Sequence, residues 1–127
     1  MLFYIFDTGA LTAAERGDGW VRRYLDLART GHATIAIPIV CVLEWWRGRT
    51  DVREEVLEAA TAILPLTMKI AQAAGVAQAK VKGATAIDAA VMATAALSPG
   101  SIVVTRDVHD FARLQSHFKD VRVFGGA

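Results

Sequence analysis

Two short apolar runs, one near each end of the chain, are each followed within three residues by an aspartate and then a helical pattern. Leu2 to Phe6 is continuous, aromatic and β-branched, too short for a helix and suited to a strand buried on both faces. It ends at Asp7, and Thr8-Gly9 turns the chain into a helix from about Ala10. Ser101 to Val104 repeats the arrangement, followed by Thr105-Arg106-Asp107. Such strands need neighbours on both edges and helices over both faces. Their terminal carboxylates then lie at the C-terminal rim of the sheet, where open parallel sheets bind ligands. Asp and Thr also favour helix N-caps, so Asp7 taken alone reads more readily as a cap.

Between these runs the chain alternates. Ala10 to Arg16 reads as a short helix closed by Gly17-Asp18-Gly19. Trp20 to Thr30 is amphipathic, with Trp20, Val21, Tyr24, Leu25, Leu27 and Ala28 opposite Arg22, Arg23, Asp26 and Arg29, and Gly31 ends it. Thr34 to Ile37 is a second buried strand, and Pro38 suits the first turn of a helix running to Arg47. Asp51 to Ile63 is helical, and Leu64-Pro65-Leu66 is a very short strand whose proline suits a sheet edge. Met68 to Lys80 and the alanine-rich Thr85 to Leu97 are helices. A last helix spans Val108 to His117 and a last strand Val121 to Phe124. Strands alternating with helices imply an α/β fold with a mostly parallel sheet covered on both faces.

At 127 residues the chain makes a single domain, residues 1–127, able to bury a core. Its apolar content does not signal a membrane span, because the longest run, Ala33 to Leu43, carries Thr34 and Pro38 and falls short of the ~20 residues required. The first apolar run is cut by Asp7 and lacks a basic flank, so it is no signal peptide. Cys41 is the one cysteine, consistent with a reducing, cytoplasmic setting. A net charge of +1 gives no global field toward nucleic acid, so RNA binding would rest on a local patch. The apolar composition favours a protein partner or self-association.

Four acids draw attention because they stand apart from other charges. Glu44 is the only acid between Asp26 and Asp51, and Asp88 the only one between Glu58 and Asp107. Asp7 and Asp107 follow strands, and Asp110 lies one helical turn beyond Asp107. Individually, Glu44 could pair with Arg47, Asp88 could close a capping box with Thr85, and Asp107 could cap the last helix. Together they read as hard oxygen ligands, since like charges this close need a cation between them. Carboxylates suit Mg²⁺ or Mn²⁺, and no Cys/His set has zinc spacing. His32, His109 and His117 are scattered. Divalent ions beside a cleft point to phosphodiester hydrolysis. No nucleophile–histidine pairing and no glycine-rich phosphate loop competes.

The motifs Asp7-Thr8-Gly9-Ala10-Leu11, Glu44 with Trp46-Arg47-Gly48, Ile87-Asp88-Ala89-Ala90 with Ala93-Thr94-Ala95, and Val104 to Phe111 resemble, in order and spacing, the PIN domain. More narrowly they resemble VapC-type toxins of bacterial toxin–antitoxin pairs. The resemblance covers nearly the whole chain. It implies a three-layer α/β/α sandwich with strand order 3-2-1-4-5, which makes the strands before Asp7 and Asp107 neighbours at the winding reversal. It also implies an Mg²⁺- or Mn²⁺-dependent endoribonuclease acting on RNA such as tRNA, silenced by a VapB-like antitoxin and often homodimeric. The acidic site maps onto Asp7, Glu44, Asp88 and Asp107, with Asp110 a helper. Many family members carry a further acid just before the position of Asp88, where this chain has Ala86 and Ile87. Arg16, Lys80, Lys82, Arg106 and Arg113 are candidate RNA contacts. In the doublet Trp45-Trp46 one ring is expected in the core and the other toward an antitoxin or dimer partner.

Two other readings remain open. One is a PIN-fold binding module without catalysis, acting through a protein partner. The other is a phosphate-handling enzyme with Asp7 as nucleophile, disfavoured because such enzymes want a second acid where this chain has Gly9.

Overall fold

The computed structural model describes residues 1–126. Five parallel strands form one sheet: β1 (Leu2–Phe6), β2 (Ala33–Pro38), β3 (Ala62–Leu64), β4 (Ser101–Thr105) and β5 (Arg122–Gly125). Their order is β3-β2-β1-β4-β5. The helices are α1 (Thr8–Arg16), α2 (Gly19–Arg29), α3 (Ile39–Trp45), α4 (Asp51–Ala59), α5 (Met68–Lys80), α6 (Ala86–Ala96) and α7 (Ala112–His117), with a 3₁₀ turn over Val108–Phe111. This is the α/β architecture and strand order expected.

The strand order follows from hydrophobicity. The longest uninterrupted apolar strands occupy the centre, where both faces are covered, and the short ones take the edges. β1 is flanked by β2 and β4, with Tyr4 opposite Ile35 and Ile102. Ile5, Phe6, Ile35, Ile37, Ile102, Val103 and Val104 are essentially inaccessible to solvent. On the α6 side, Ala89 through Ala95 are all buried, and the alanines among them let this helix lie close to the sheet and to α5. Tyr4, Phe6, Trp20 and Tyr24 pack edge to face between β1 and α2, a geometry aromatic quadrupoles favour.

Several boundaries differ from expectation. The helix expected over Asp51 to Ile63 ends at Ala59, and the edge strand is Ala62–Leu64 rather than Leu64 to Leu66. The Thr61 amide donates to the Ile35 carbonyl at 2.7 Å, and Ile63 pairs with Ile37. Pairing with β2 therefore begins earlier than the local pattern suggested. Pro65, with no N–H to donate, falls just beyond the ladder. Pro38 closes β2 and precedes α3 instead of lying in its first turn, and α3 stops at Trp45 rather than Arg47. The last helix begins as a 3₁₀ turn because the Asp107 carboxylate accepts from the His109 amide at 3.0 Å. Among the described residues no helix is long and apolar enough to cross a membrane.

Candidate functional site

β1 and β4 lie side by side, and their C-terminal ends open on a cleft of about 210 Å³. Its walls carry Asp7, Glu44, Asp88, Asp107 and Asp110, all five acids singled out in the sequence. Arg106 is the one basic residue among its lining. The acids come from separate segments: the end of β1, α3, the first turn of α6, and the turn after β4. None takes part in an ion pair among the described residues.

Asp7 is the buried member, 5% exposed. Its amide donates to the Val104 carbonyl at 3.2 Å, tying the end of β1 to β4. Its Oδ1 accepts from the Ala10 amide at 2.8 Å and so caps α1. Burial raises its pKa to about 6 and the Asp88 charge adds to the rise, while hydrogen bonds from Thr105 and Ala10 and the Arg106 charge oppose it. Asp88 is half-buried, and burial, with the charges of Glu44 and Asp110, raises its pKa too. Its amide donates to the Thr85 hydroxyl at 3.2 Å, so part of the capping arrangement exists alongside its place on the cleft. Glu44 and Asp110 are exposed, and among the described residues their side chains make no hydrogen bond. Asp107 is exposed and spends one oxygen on the His109 amide.

The donor chemistry of this cleft is that of hard divalent cations: carboxylates, plus a buried Thr8 hydroxyl with no hydrogen-bond partner. Among the described residues, however, no three acid, histidine or cysteine side chains are grouped to hold an ion as they stand. Closing a ligand set would require the exposed Glu44, Asp107 or Asp110 to rotate toward Asp7 and Asp88. Cys41, beneath Thr8 and fully buried, has a thiol pushed up to about 12 by burial, which makes it a poor nucleophile.

Of the basic residues named from sequence, only Arg106 lines the cleft. Arg16 is exposed at the end of α1. Lys80 ends α5 and Lys82 follows it, with the Arg113 guanidinium donating to the Lys82 carbonyl at 2.7 Å. Thr105 and Phe111 also line the cleft; both fall within the motif from Val104 to Phe111, but neither was assigned a role at the site from sequence. The buried Thr105 hydroxyl, beside Asp7, favours its charged form. The only signal for it was a polar residue closing an apolar strand. Beside the cleft, Ile39, Val42, Leu43, Trp46 and Leu57 line an apolar groove of about 490 Å³, with Leu43 76% exposed. Trp45 is buried and Trp46 lies on this groove.

No protein-family model and no curated protein sequence matches the chain. Solved structures do. A chain of the crystal structure of DNA-bound VapBC from Salmonella typhimurium superposes with a TM-score of 0.69, covering 98% of both chains at 16% identity. The chain has a PIN-like fold. VapBC2 from Rickettsia felis, bound to a DNA fragment from its promoter, gives a TM-score of 0.68 over 99% of this chain and 100% of that one, at 15% identity. A toxin–antitoxin complex from Klebsiella pneumoniae gives 0.63 over 86% and 90%, at 20% identity. The PIN-like fold explains why the cleft lies where it does. The winding reverses between β1 and β4, and the helices after these strands leave in opposite directions, opening a crevice at their ends.

Proposed function

We propose that this protein is an Mg²⁺- or Mn²⁺-dependent endoribonuclease, the toxin of a type II toxin–antitoxin pair, hydrolysing phosphodiester bonds in RNA. The observation that carries the reading is the convergence of acids from four separate segments on one strand-end cleft with a single arginine beside them. The PIN-like fold shared with toxin–antitoxin complexes supports it.

Asp7, Glu44, Asp88 and Asp107 would hold the ion, with Asp110 assisting. When bound, the ion supplies Lewis acidity at a phosphoryl oxygen and lowers the pKa of a water beside the scissile bond. Asp7 is the fixed point, because burial and the α1 cap hold its carboxylate. Glu44 and Asp110 are free to swing inward. Arg106 is suited to a non-bridging phosphate oxygen. It offsets the repulsion that a phosphodiester meets on approaching five acids. Arg16, Lys80, Lys82 and Arg113 are solvated cations outside the cleft, able to meet phosphates further along the strand.

The apolar groove of Leu43 and Trp46 is the surface we assign to a VapB-like antitoxin, in a protein that forms homodimers in the cytoplasm. The deciding experiment is cleavage of an RNA mixture containing tRNA with Mg²⁺ or Mn²⁺, comparing the wild type with Asp7→Asn. The wild type should cut and the variant should not; equal cleavage rejects the site. A second reading, a PIN-fold module that binds a protein partner without catalysis, draws on the ungrouped state of the acids and the exposed groove. It predicts no divalent-dependent cleavage and an unaltered complex in Asp7→Asn.

A further inference from the structure

Among the cleft acids, Glu44 alone stands on α3, seven residues long with no side-chain cap at its start. Cys41 and Trp45, four residues apart, are its only buried positions. One face of the helix is thus held at two points, and these set its rotation about its own axis. Trp45 is the outer point and directly follows Glu44.

Trp45 is pinned by a polar network that reaches back to α1. Its indole Nε1–H donates to Glu15 Oε1 at 2.9 Å. The second Glu15 oxygen, Oε2, pairs with the Arg53 guanidinium at 3.1 Å. Arg53 in turn donates to the Gly48 carbonyl at 2.9 Å, and its amide donates to the Thr50 hydroxyl that caps α4. Both oxygens of one carboxylate are therefore committed, one to the helix bearing Glu44 and one to the segment following it. Both charged side chains are largely withdrawn from solvent, 28% and 19% exposed, where such bonds gain strength. Glu15 also stands near the end of the helix whose first turn is capped by Asp7. A single rigid element, α1, connects the buried acid of the cleft to the brace of the outer one.

We propose that Glu15 is a positioning residue: by holding the Trp45 indole it fixes the rotation of α3 that turns Glu44 toward the cleft. The proposal rests on the metal reading of that cleft. Glu15 touches no substrate and reaches the site only through Trp45. Without its carboxylate, the indole N–H is left buried and unpaired, and α3 is free to turn until Trp45 finds another acceptor.

The test is Mn²⁺ binding, followed by calorimetry on the intact protein, with thermal unfolding measured beside it. Glu15→Leu should weaken Mn²⁺ by about three- to tenfold, below the 10–100-fold typical of partners that touch a ligand directly. Glu15→Gln keeps an acceptor for the indole and should stay within about twofold of the wild type. In a Glu44→Gln background Glu15→Leu should add nothing, since its effect passes through Glu44. Trp45→Phe keeps a ring in the pocket but removes the donor, and should reproduce Glu15→Leu. Wild-type affinity in both Glu15→Leu and Trp45→Phe, or a loss that persists in the Glu44→Gln background, overturns the positioning role while leaving the metal reading intact. A wild type that takes up no Mn²⁺, or a Glu44→Gln variant that binds as well as the wild type, overturns the metal reading or Glu44's part in it, and this inference with it.

Discussion

Gly9 and Arg106 meet so closely that a β-carbon on Gly9 would stand 3.2 Å from the Arg106 Cβ and 3.4 Å from its amide nitrogen. The contact holds the stem of the cleft's one cation against α1. Gly9→Ala gains helix propensity of about 0.5–1 kcal/mol, set against a crowding cost of similar size. Thermal unfolding should therefore change little. RNA cleavage should fall by about tenfold, less than the ~100-fold that a 1 Å misplacement can cost. Unchanged cleavage would show that the position of Arg106 is immaterial.

The raised pKa of Asp7 makes the protein's stability depend on pH in the direction opposite to most carboxylates. Its folded value, about 6, exceeds the ordinary 3.8, so the folded state holds the proton more tightly. Its contribution is complete below about pH 4 and is lost as pH rises through about 6. In metal-free protein that loss is on the order of 3 kcal/mol. Asp88, shifted the same way, adds to it. Denaturant unfolding at pH 5 and pH 8, in chelator, should show the wild type losing stability and Asp7→Asn losing much less. Cleavage should run the other way, rising as Asp7 ionises, with Mn²⁺ moving the inflection downward.

Asp107 separates the capping role of an acid from its place on the cleft. Asp107→Asn retains an oxygen for the His109 amide, whereas Asp107→Ala does not. Alanine should cost about 1 kcal/mol by unfolding and asparagine almost nothing. Both should abolish divalent-dependent cleavage. Full activity in Asp107→Asn would reduce this residue to a cap.

Leu43 offers a test of the groove apart from the cleft. It is 76% exposed, so Leu43→Asp should shift stability by less than about 0.5 kcal/mol. Co-purification with the protein encoded beside it should be lost, while cleavage by the free protein persists. Retained co-purification would move the partner to another face.

The central strands and the five acids were legible because burial on both sides leaves an unbroken apolar run and an isolated charge stands out within it. Asp7, Glu44 and Asp88 were visible by their solitude. The edge strand was not, because Ala62–Leu64 owes its place to the Ile35 and Ile37 backbone rather than to its own pattern. The start of the last helix was displaced by one side-chain bond from Asp107. The role of Thr105 beside Asp7 and the link from Glu15 to Trp45 and Arg53 were not legible because they are partnerships between elements. Nothing local to Glu15 distinguishes it from a solvated helix glutamate. Of the basic residues, Arg106 alone lines the cleft, and the sequence did not single it out, since a lone Arg or Lys carries no local mark of where it points.

β1 finds its neighbour β4 only after the chain has passed through six helices and the strands β2 and β3. During synthesis the rim around Asp7 is therefore half built until the segment through Asp110 has left the ribosome. On the ribonuclease reading proposed above, a product cut short before Asp107 lacks two of the cleft acids and should leave RNA intact.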